Sequence, residues 1–536
     1  MGTEVSQQVK ASLHPVASPD GAYVAALNGS RLQVRAAASL TLVRSIPLPA
    51  EYTLKTLPAL RWSPISSADR QTRRILLADD SNVRVWDLHD AQWTALINNG
   101  SGGMGKVVNA EFGNSADEAL VFSDFGARVT AWSLTTGRSV EIRDPKFYKD
   151  ARGIGFGPGN GIFALLSRPA AQDMITLHAR VTFSLLKTVI LASSDAQGFK
   201  WSPDGRWFVV WDAPSTGYRL YVYTADGHLY RTYSGDEDVE VRGLGIKSIE
   251  WSSRGDFLAV GGFDERVTLL STRTFSPTVF LDHTSVVQLS AGEVWQEQIS
   301  ATSGHSYTRV PQPVSPPLAP QAANEPVPKS GISVVAFNAD GSLIATRDDS
   351  MPTSVWLWDL SRLAARTVLI QHSPVKSLQW HPSIPNLVLI HCAQEEPIVY
   401  FWDASTNEPR AVHIPLEKAA PRTSSKLEAR WLADGSERKP SLIFSDVHGF
   451  LTVWPEGKET ILRFDGSRGS RPGTPGSTNE SEDSLYNILT GRTPVPGQED
   501  TTSYDVDDSG DSVMLEDTFH GKGRHLQGSL RDSECF

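Results

Sequence analysis

Gly100-Ser-Gly-Gly-Met-Gly105-Lys106 has the glycine and lysine spacing of a phosphate-binding loop. Such a loop cradles phosphate with backbone N–H groups and a lysine ammonium, and it needs a Ser or Thr after the lysine for Mg²⁺ and a helix N-terminus facing the phosphates. Val107 stands where that hydroxyl belongs, and Lys106-Val-Val-Asn-Ala-Glu-Phe112 alternates as a strand does. The expected identity is a loop between repeat units. The thirteen histidines are scattered and no Cys or His pair has ligand spacing, so a metal site is not expected, and His178 and His391 read as packed or capped. A G-x-S-x-G elbow between a strand and a helix is missing. Arg73-Arg74 with Trp207, Tyr218, Tyr221 and Tyr223 offers the residue types that stack on RNA, yet the aromatics follow strand alternation and the basic residues do not cluster. The reading is a chain without catalytic residues, metal or cofactor, taking no small-molecule substrate.

Charge agrees with this. The net charge of −11 disfavours a nucleic-acid surface, which relies on clustered Lys and Arg. Most of it lies in residues 465–536, with fourteen acidic and six basic residues. Two cysteines, Cys392 and Cys535, suit a reducing compartment rather than a disulfide framework. No apolar run approaches the roughly 20 residues that cross a bilayer, and Met1 to Ala11 lacks a signal-peptide core, so neither secretion nor a membrane span is expected.

What positions the side chains is a repeat. Gly198-Phe-Lys-Trp201-Ser-Pro-Asp204-Gly205-Arg-Trp-Phe-Val-Val is a short alternating strand, an Asp-Gly turn and a second apolar strand, with a third at Arg219-Leu-Tyr-Val-Tyr223. The same pattern recurs with its pivotal residue at Ala17, Trp62, Phe112, Phe156, Trp201, Trp251, Phe337, Trp380 and Trp431. Units close on apolar strands that often end in Trp-Asp, placing Trp86, Trp132, Trp358, Trp402 and Trp454 at one strand position. Blades packed sheet on sheet use such aromatics as filling, and one unit alone cannot bury both its faces. The predicted fold is therefore all-β: a WD-repeat β-propeller of about nine units over residues 11–464, one large ring being favoured over two smaller ones. The long step between Trp251 and Phe337 holds a Pro-rich inserted loop at about 283–330, and Thr460 to Phe464 is expected to complete the last blade. Residues 465–536, rich in Gly, Ser and Pro at their start, read as a disordered acidic tail, with Thr474 and Thr493 before prolines as candidate phosphorylation sites.

Two longer motifs go beyond a generic repeat. Leu244-Gly-Ile-Lys-Ser-Ile-Glu-Trp251-Ser and Ile344-Ala-Thr-Arg347-Asp348-Asp349-Ser-Met-Pro352-Thr-Ser-Val-Trp356-Leu-Trp358-Asp359-Leu360 resemble the WRAP-type WD-repeat family, as do Leu229-Tyr-Arg-Thr-Tyr233-Ser and Ser373-Pro-Val-Lys-Ser-Leu-Gln-Trp380. The likeness runs from about Ala11 to Trp454; the acidic tail departs from it. What the resemblance implies is a non-enzymatic scaffold of the spindle pole body or centrosome in the cytoplasm. There it joins a coiled-coil microtubule-anchoring protein and a kinesin-14-class motor, and holds microtubule minus ends at the pole of the mitotic spindle. The alternative is a translation-initiation-type propeller on ribosomes. Arg347, Asp348, Asp349 and Pro352, in a loop between two strands, are the candidate partner contact; the competing reading is that the aspartates pin the turn.

Overall fold

A computed structural model describes residues 2–49, 59–65, 71–98, 105–124, 127–149, 151–235, 245–301, 304–320, 330–416, 427–433, 439–446 and 448–458. One compact unit runs over Met1–Ile461; the remainder, Leu462–Phe536, lies outside the described residues.

Among the described residues the secondary structure is strand and single 3-10 turns such as Pro214–Thr216. The strands form nine sheets, each a blade whose own repeat strands pair antiparallel in chain order. The first strands of the nine blades end at Ala17, Trp62, Phe112, Phe156, Trp201, Trp251, Phe337, Trp380 and Trp431, the nine pivotal positions of the repeat. Second strands such as Arg74–Ala78 and Leu387–Cys392 are buried along their whole length, because a neighbouring blade covers each face. Fourth strands with no further strand beside them are largely exposed, as in Leu229–Tyr233, where Tyr233 alone is buried. First strands of adjacent blades touch one another and so stand nearest the axis.

A single ring follows from the core. Eight apolar clusters each join consecutive blades, for example Leu27, Leu32, Ile75 and Leu77 between the first and second. A ninth, with Val24 and Ala26 against Leu432, Ile443 and Phe450, joins the last blade to the first and closes the circle.

The Ser-Pro-Asp-Gly turns are locked locally. Asp204 Oδ1 accepts from Ser202 Oγ at 2.5 Å and from the Arg206 N–H at 3.1 Å, while the Trp207 N–H donates to Ser202 Oγ at 3.0 Å. Gly205 has φ +68°, and a Cβ there would fall 2.3 Å from the carbonyl oxygen of Pro158 in the blade before, so only glycine fits. The Asp of the Trp-Asp pairs does related work: Asp87 Oδ1 accepts the N–H groups of His89 and Asp90, Asp359 Oδ1 those of Ser361 and Arg362, and Asp403 Oδ1 that of Ser405.

Two sets of polar ties cross the blade interfaces. At the inner rim the indole N–H of Trp62, Trp380 and Trp431 donates to a first-strand carbonyl of the preceding blade, on Val16, Ala336 and Gln379, at 2.8, 2.9 and 2.9 Å. At the outer rim a cation in the third position of the fourth strand reaches the following blade. Lys187 meets the carbonyl of Asp226 at 2.6 Å and Arg231 that of Thr274 at 2.6 Å; Arg44 reaches the carbonyls of Asp87 and Ala91, Arg366 that of Ala404, and Arg410 the carboxylate of Glu456 at 3.7 Å.

Three expectations are corrected. The propeller begins before residue 11: Glu4–Val5 and Val9–Lys10 pair with Gly449–Trp454 and occupy the fourth-strand place of the last blade. That place was expected for Thr460 to Phe464, which lie outside the described residues. The Pro-rich insertion is more than a loop. Its start folds as a hairpin, Glu293–Ser300 with Gly304–Arg309, and Glu293–Ser300 adds in parallel to the outer strand Ala364–Ile370, making a six-stranded sheet. Periodicity missed it because Glu293-Val-Trp-Gln-Glu-Gln-Ile-Ser300 has few apolar residues, and only one face is covered.

One buried polar chain ties the sixth blade to the seventh. Trp358 Nε1 donates to Thr346 Oγ1 at 2.8 Å, and Thr346 lies 2.7 Å from His283 Nε2, whose Nδ1 is 3.2 Å from the Glu265 carbonyl. A carbonyl only accepts, so Nδ1 carries the proton, Nε2 accepts from the threonine hydroxyl, and the imidazole is neutral. Thr346→Val keeps the shape and strands an indole N–H and an imidazole nitrogen in the core. It is expected to cost about 1–3 kcal/mol in chemical denaturation; an unchanged midpoint would show that the chain contributes nothing.

Candidate functional site

The stretch singled out by sequence, 347–352, is loop only in part: Arg347 and Asp348 end the second strand of the seventh blade, Leu343–Asp348, and the turn begins at Asp349, because the ladder with the first strand runs on to Asp348 opposite Ile332. Its side chains are engaged within the ring. Asp348 is 1% exposed, and its Oδ1 accepts the N–H groups of Ser350 at 2.7 Å and Gly331 at 3.1 Å; burial pushes its carboxyl up. Asp349 takes Lys247 Nζ at 2.5 Å on Oδ2, and Ser333 Oγ at 2.7 Å and Arg347 Nη2 at 2.5 Å on Oδ1. Burial would raise its carboxyl, but the Lys247 ammonium and the Ser333 hydroxyl hold it below the usual range. Lys247 belongs to the sixth blade and also donates to the Ser330 carbonyl at 2.6 Å, while Arg347 donates to the Val375 carbonyl at the start of the eighth. The loop is thus a knot across three blades. Pro352 is half-buried, and its carbonyl accepts the Val375 N–H at 2.8 Å.

Other candidates resolve in the same way. Lys106 opens the third blade, its N–H on Asp124 Oδ1 at 2.7 Å, and Val107–Phe112 is a strand; residues 100–104 of the glycine loop lie outside the described residues. Arg74 bonds Asp87 and Asp117 and lies 3.7 Å over the Trp93 ring, with Arg73 on the same Asp87 carboxylate. Tyr218, Tyr221 and Tyr223 are buried core residues. His178 is buried, with its ring nitrogens 3.0 Å from Phe183 O and Thr176 Oγ1. Thr474 and Thr493 lie outside the described residues.

Two charged clusters escaped the sequence reading. Lys146, nearly buried, bridges Asp173 at 2.9 Å and Asp195 at 2.8 Å, with Arg168 on the same two carboxylates. His305, on the inserted hairpin, lies 2.5 Å from Glu297 and 2.9 Å from Glu396 of the eighth blade. Burial alone would lower its pKa, and the two carboxylates outweigh that and raise it. Neither cluster has a local spacing signal, since Glu297, His305 and Glu396 meet only after the hairpin docks. Among the described residues no group of three His, Cys, Asp or Glu is arranged to hold a metal ion, and no helix is long and apolar enough to cross a membrane.

The open concavities are of two kinds. A groove of about 380 Å³ lies over the inner strands of the fourth to sixth blades, lined by Phe156, Phe199, Trp201 and Trp251 and by the Lys200–Glu250 ion pair, closed at 2.7 Å. A cleft of about 770 Å³ runs along the seam where the N-terminal strands meet the first blade, with Glu4, Lys10, Arg35 and Trp454. Both are suited to contact.

No protein-family model matches the chain. It is similar to the WD repeat-containing protein WRAP73 of Mus musculus, 28% identical over 407 residues, covering 72% of this chain and 83% of that protein. An uncharacterized WD repeat-containing protein of Schizosaccharomyces pombe is 28% identical over 430 residues, covering 76% and 84%. Among solved structures, a eukaryotic initiation factor matches at TM-score 0.48 and 11% identity, covering 77% of this chain and 89% of that one. The C-terminal WD40 domain of Sif2 matches at TM-score 0.43 and 12% identity, covering 77% and 99%.

Proposed function

We propose that this chain, a WD-repeat β-propeller similar to the WRAP type, is a non-enzymatic scaffold of the spindle pole body or centrosome. In this reading it joins a coiled-coil microtubule-anchoring protein to a kinesin-14-class motor and holds microtubule minus ends at the pole. One observation carries the scaffold part. Charged side chains are spent on one another within and between blades, in the Asp349–Lys247, Asp173–Lys146 and Glu396–His305 pairs, leaving turns and outer edges as the exposed material of the ring. The polar location and the two partners rest on the likeness to the WRAP type. The turn at 347–352 is proposed to meet a partner through Pro352 and its backbone rather than through free charges.

Tagged full-length chain is expected to form foci at both poles through mitosis, and its purification to bring down a coiled-coil protein and a kinesin-14. Diffuse signal throughout mitosis, or salt-sensitive co-sedimentation with ribosomal subunits in place of those partners, would sink the spindle reading.

A further inference from the structure

In blades one to six and eight, the fourth strand is the last of its sheet, and its outward row of N–H and C=O groups has no strand beside it among the described residues. Proteins protect such edges with charge, proline or a covering segment. Three of these seven edges follow the rule: Ser139–Arg143 carries Glu141 and Arg143, Pro277–Asp282 opens on proline and ends on aspartate, and Glu408–His413 begins Glu-Pro-Arg. The fourth blade departs from it furthest. Its outer strand, Leu185–Ile190, reads Leu-Leu-Lys-Thr-Val-Ile, with Leu185 59%, Leu186 57% and Ile190 69% exposed, and Val181 just before it 64% exposed.

The fold shows what such an edge accepts. In the seventh blade Glu293–Ser300 pairs in parallel with the outer strand, Val294 opposite Val368, and Val294 is fully buried there. In the last blade the place beyond Gly449–Trp454 is filled by strands from the other end of the chain. Both are strand additions at the outer rim of this ring.

Charge specifies the occupant. The outer strands of the fourth and fifth blades, Leu185–Ile190 and Leu229–Tyr233, contain Lys187 and Arg231 and no acidic residue. Both cations donate to backbone carbonyls, of Asp226 and Thr274, and although the Asp226 carboxylate offsets part of the Lys187 charge, two cations against one carboxylate leave this edge net positive. The nearby Asp226 carboxylate is itself held by Thr224 Oγ1 at 2.5 Å and His228 at 3.0 Å. The two blades adjoin here, because Gly227 sits directly against Val189.

We propose that the outer edge of the fourth blade is a docking site for an extended segment of a partner protein, apolar at alternate positions and acidic between them, which adds as a fifth strand. Backbone pairing supplies affinity in such additions, and alternate side chains supply specificity. The inference is independent of the spindle-pole reading, since the edge is present wherever the chain works.

The test uses full-length chain and a labelled nine-residue peptide alternating valine and glutamate, followed by fluorescence anisotropy. Binding is expected, weaker by at least about tenfold when alternate peptide nitrogens are methylated, which removes ladder donors. The double variant L186D/I190D, altered at two exposed positions and checked by thermal melt, is expected to lose about tenfold or more. Lys187→Glu is expected to weaken the valine–glutamate peptide by roughly fivefold and to favour a valine–lysine peptide instead. No binding by wild type, equal binding by L186D/I190D, or indifference to N-methylation would overturn the proposal. So would a concentration-dependent dimer, seen by sedimentation velocity and abolished in L186D/I190D, since the occupant would then be a second copy.

Discussion

A chain truncated to begin at Ala11 is expected to lose about 3–6 kcal/mol of stability, with the loss centred on the last blade. Residues 2–10 supply the outer strand there. Their removal deletes the pairing of Glu4 with Trp454, Val5 with Val453, Val9 with Phe450 and Lys10 with Gly449. It also deletes the Ser6 N–H to Thr452 O bond at 2.9 Å, the reciprocal Thr452 N–H to Ser6 Oγ bond at 2.9 Å, and the bond from Lys458 N–H to Glu4 at 2.7 Å. At roughly 1 kcal/mol net for each hydrogen bond, the figure follows without counting the exposure of Phe450, which is fully buried in the native ring. Besides the apolar cluster of Val24, Ala26, Leu432, Ile443 and Phe450, the seam lacks one tie that other blade interfaces have. Its inner rim carries Ala17 where other blades place an aromatic, so no indole there reaches back to the preceding first strand. Chemical denaturation of the truncated chain, with hydrogen exchange read at 449–454, checks this; an unchanged midpoint and unchanged protection would show that the ring closes without its N-terminal strands.

The second large effect is acid sensitivity well above the carboxylate range. Burial pushes His283, His381 and His391 down to about 4 from an ordinary value of 6.5; at His391 the Lys376 ammonium adds to it. The geometry agrees for His381, whose Nδ1 accepts the N–H groups of Ile384 at 3.0 Å and Ser383 at 3.2 Å and therefore carries no proton. Because the unfolded chain takes up protons that the folded chain refuses, the stability from these groups is complete above about pH 6.5 and is lost as the pH falls toward 4. At pH 5.5 the loss is about 1–2 kcal/mol for each histidine relative to pH 7.5. His305 has the opposite sign: its pKa is raised, so its contribution is full below 6.5 and disappears as pH rises through its folded value. Among the histidines one such group stands against five, since burial lowers His14 and His178 as well, while the raised carboxyls of Glu118, Asp264, Glu265 and Asp348 share the sign of His305. The melting temperature is expected to fall steadily from pH 7.5 to 5.5, and His381→Asn, which keeps an acceptor and does not titrate, to flatten the fall. A level profile in both chains would refute the account.

The sequence carried the ring because the repeat is written in residues that each have one job. Trp201, Trp251 and their counterparts end first strands, and Trp86, Trp358 and Trp402 stand next to last in third strands, so a spacing near 45 residues marks blade after blade. What stayed hidden was every feature made by residues distant in sequence. Val5 and Val9 look like a polar leader until Gly449–Trp454 is beside them, and Glu293–Ser300 looks like linker until Ala364–Ile370 offers its edge. The candidate loop shows a related limit. A run of Arg, Asp and Asp in a turn reads the same whether it faces a partner or a neighbouring blade, and Lys247, which decides the matter for Asp349, lies about a hundred residues upstream.

The outer-rim cations have a further consequence. Each of these fourth strands carries a plug, as in Arg44, Lys187, Arg231, Arg366 and Arg410, and the next unit offers the socket in the turn after its third strand. A segment copied or excised as one whole blade therefore leaves plugs and sockets matched on both sides of the cut, whereas a break inside a blade separates them. Gene duplication in multiples of about 45 residues lengthens such a ring without redesigning a joint, and circular permutation is best tolerated between blades.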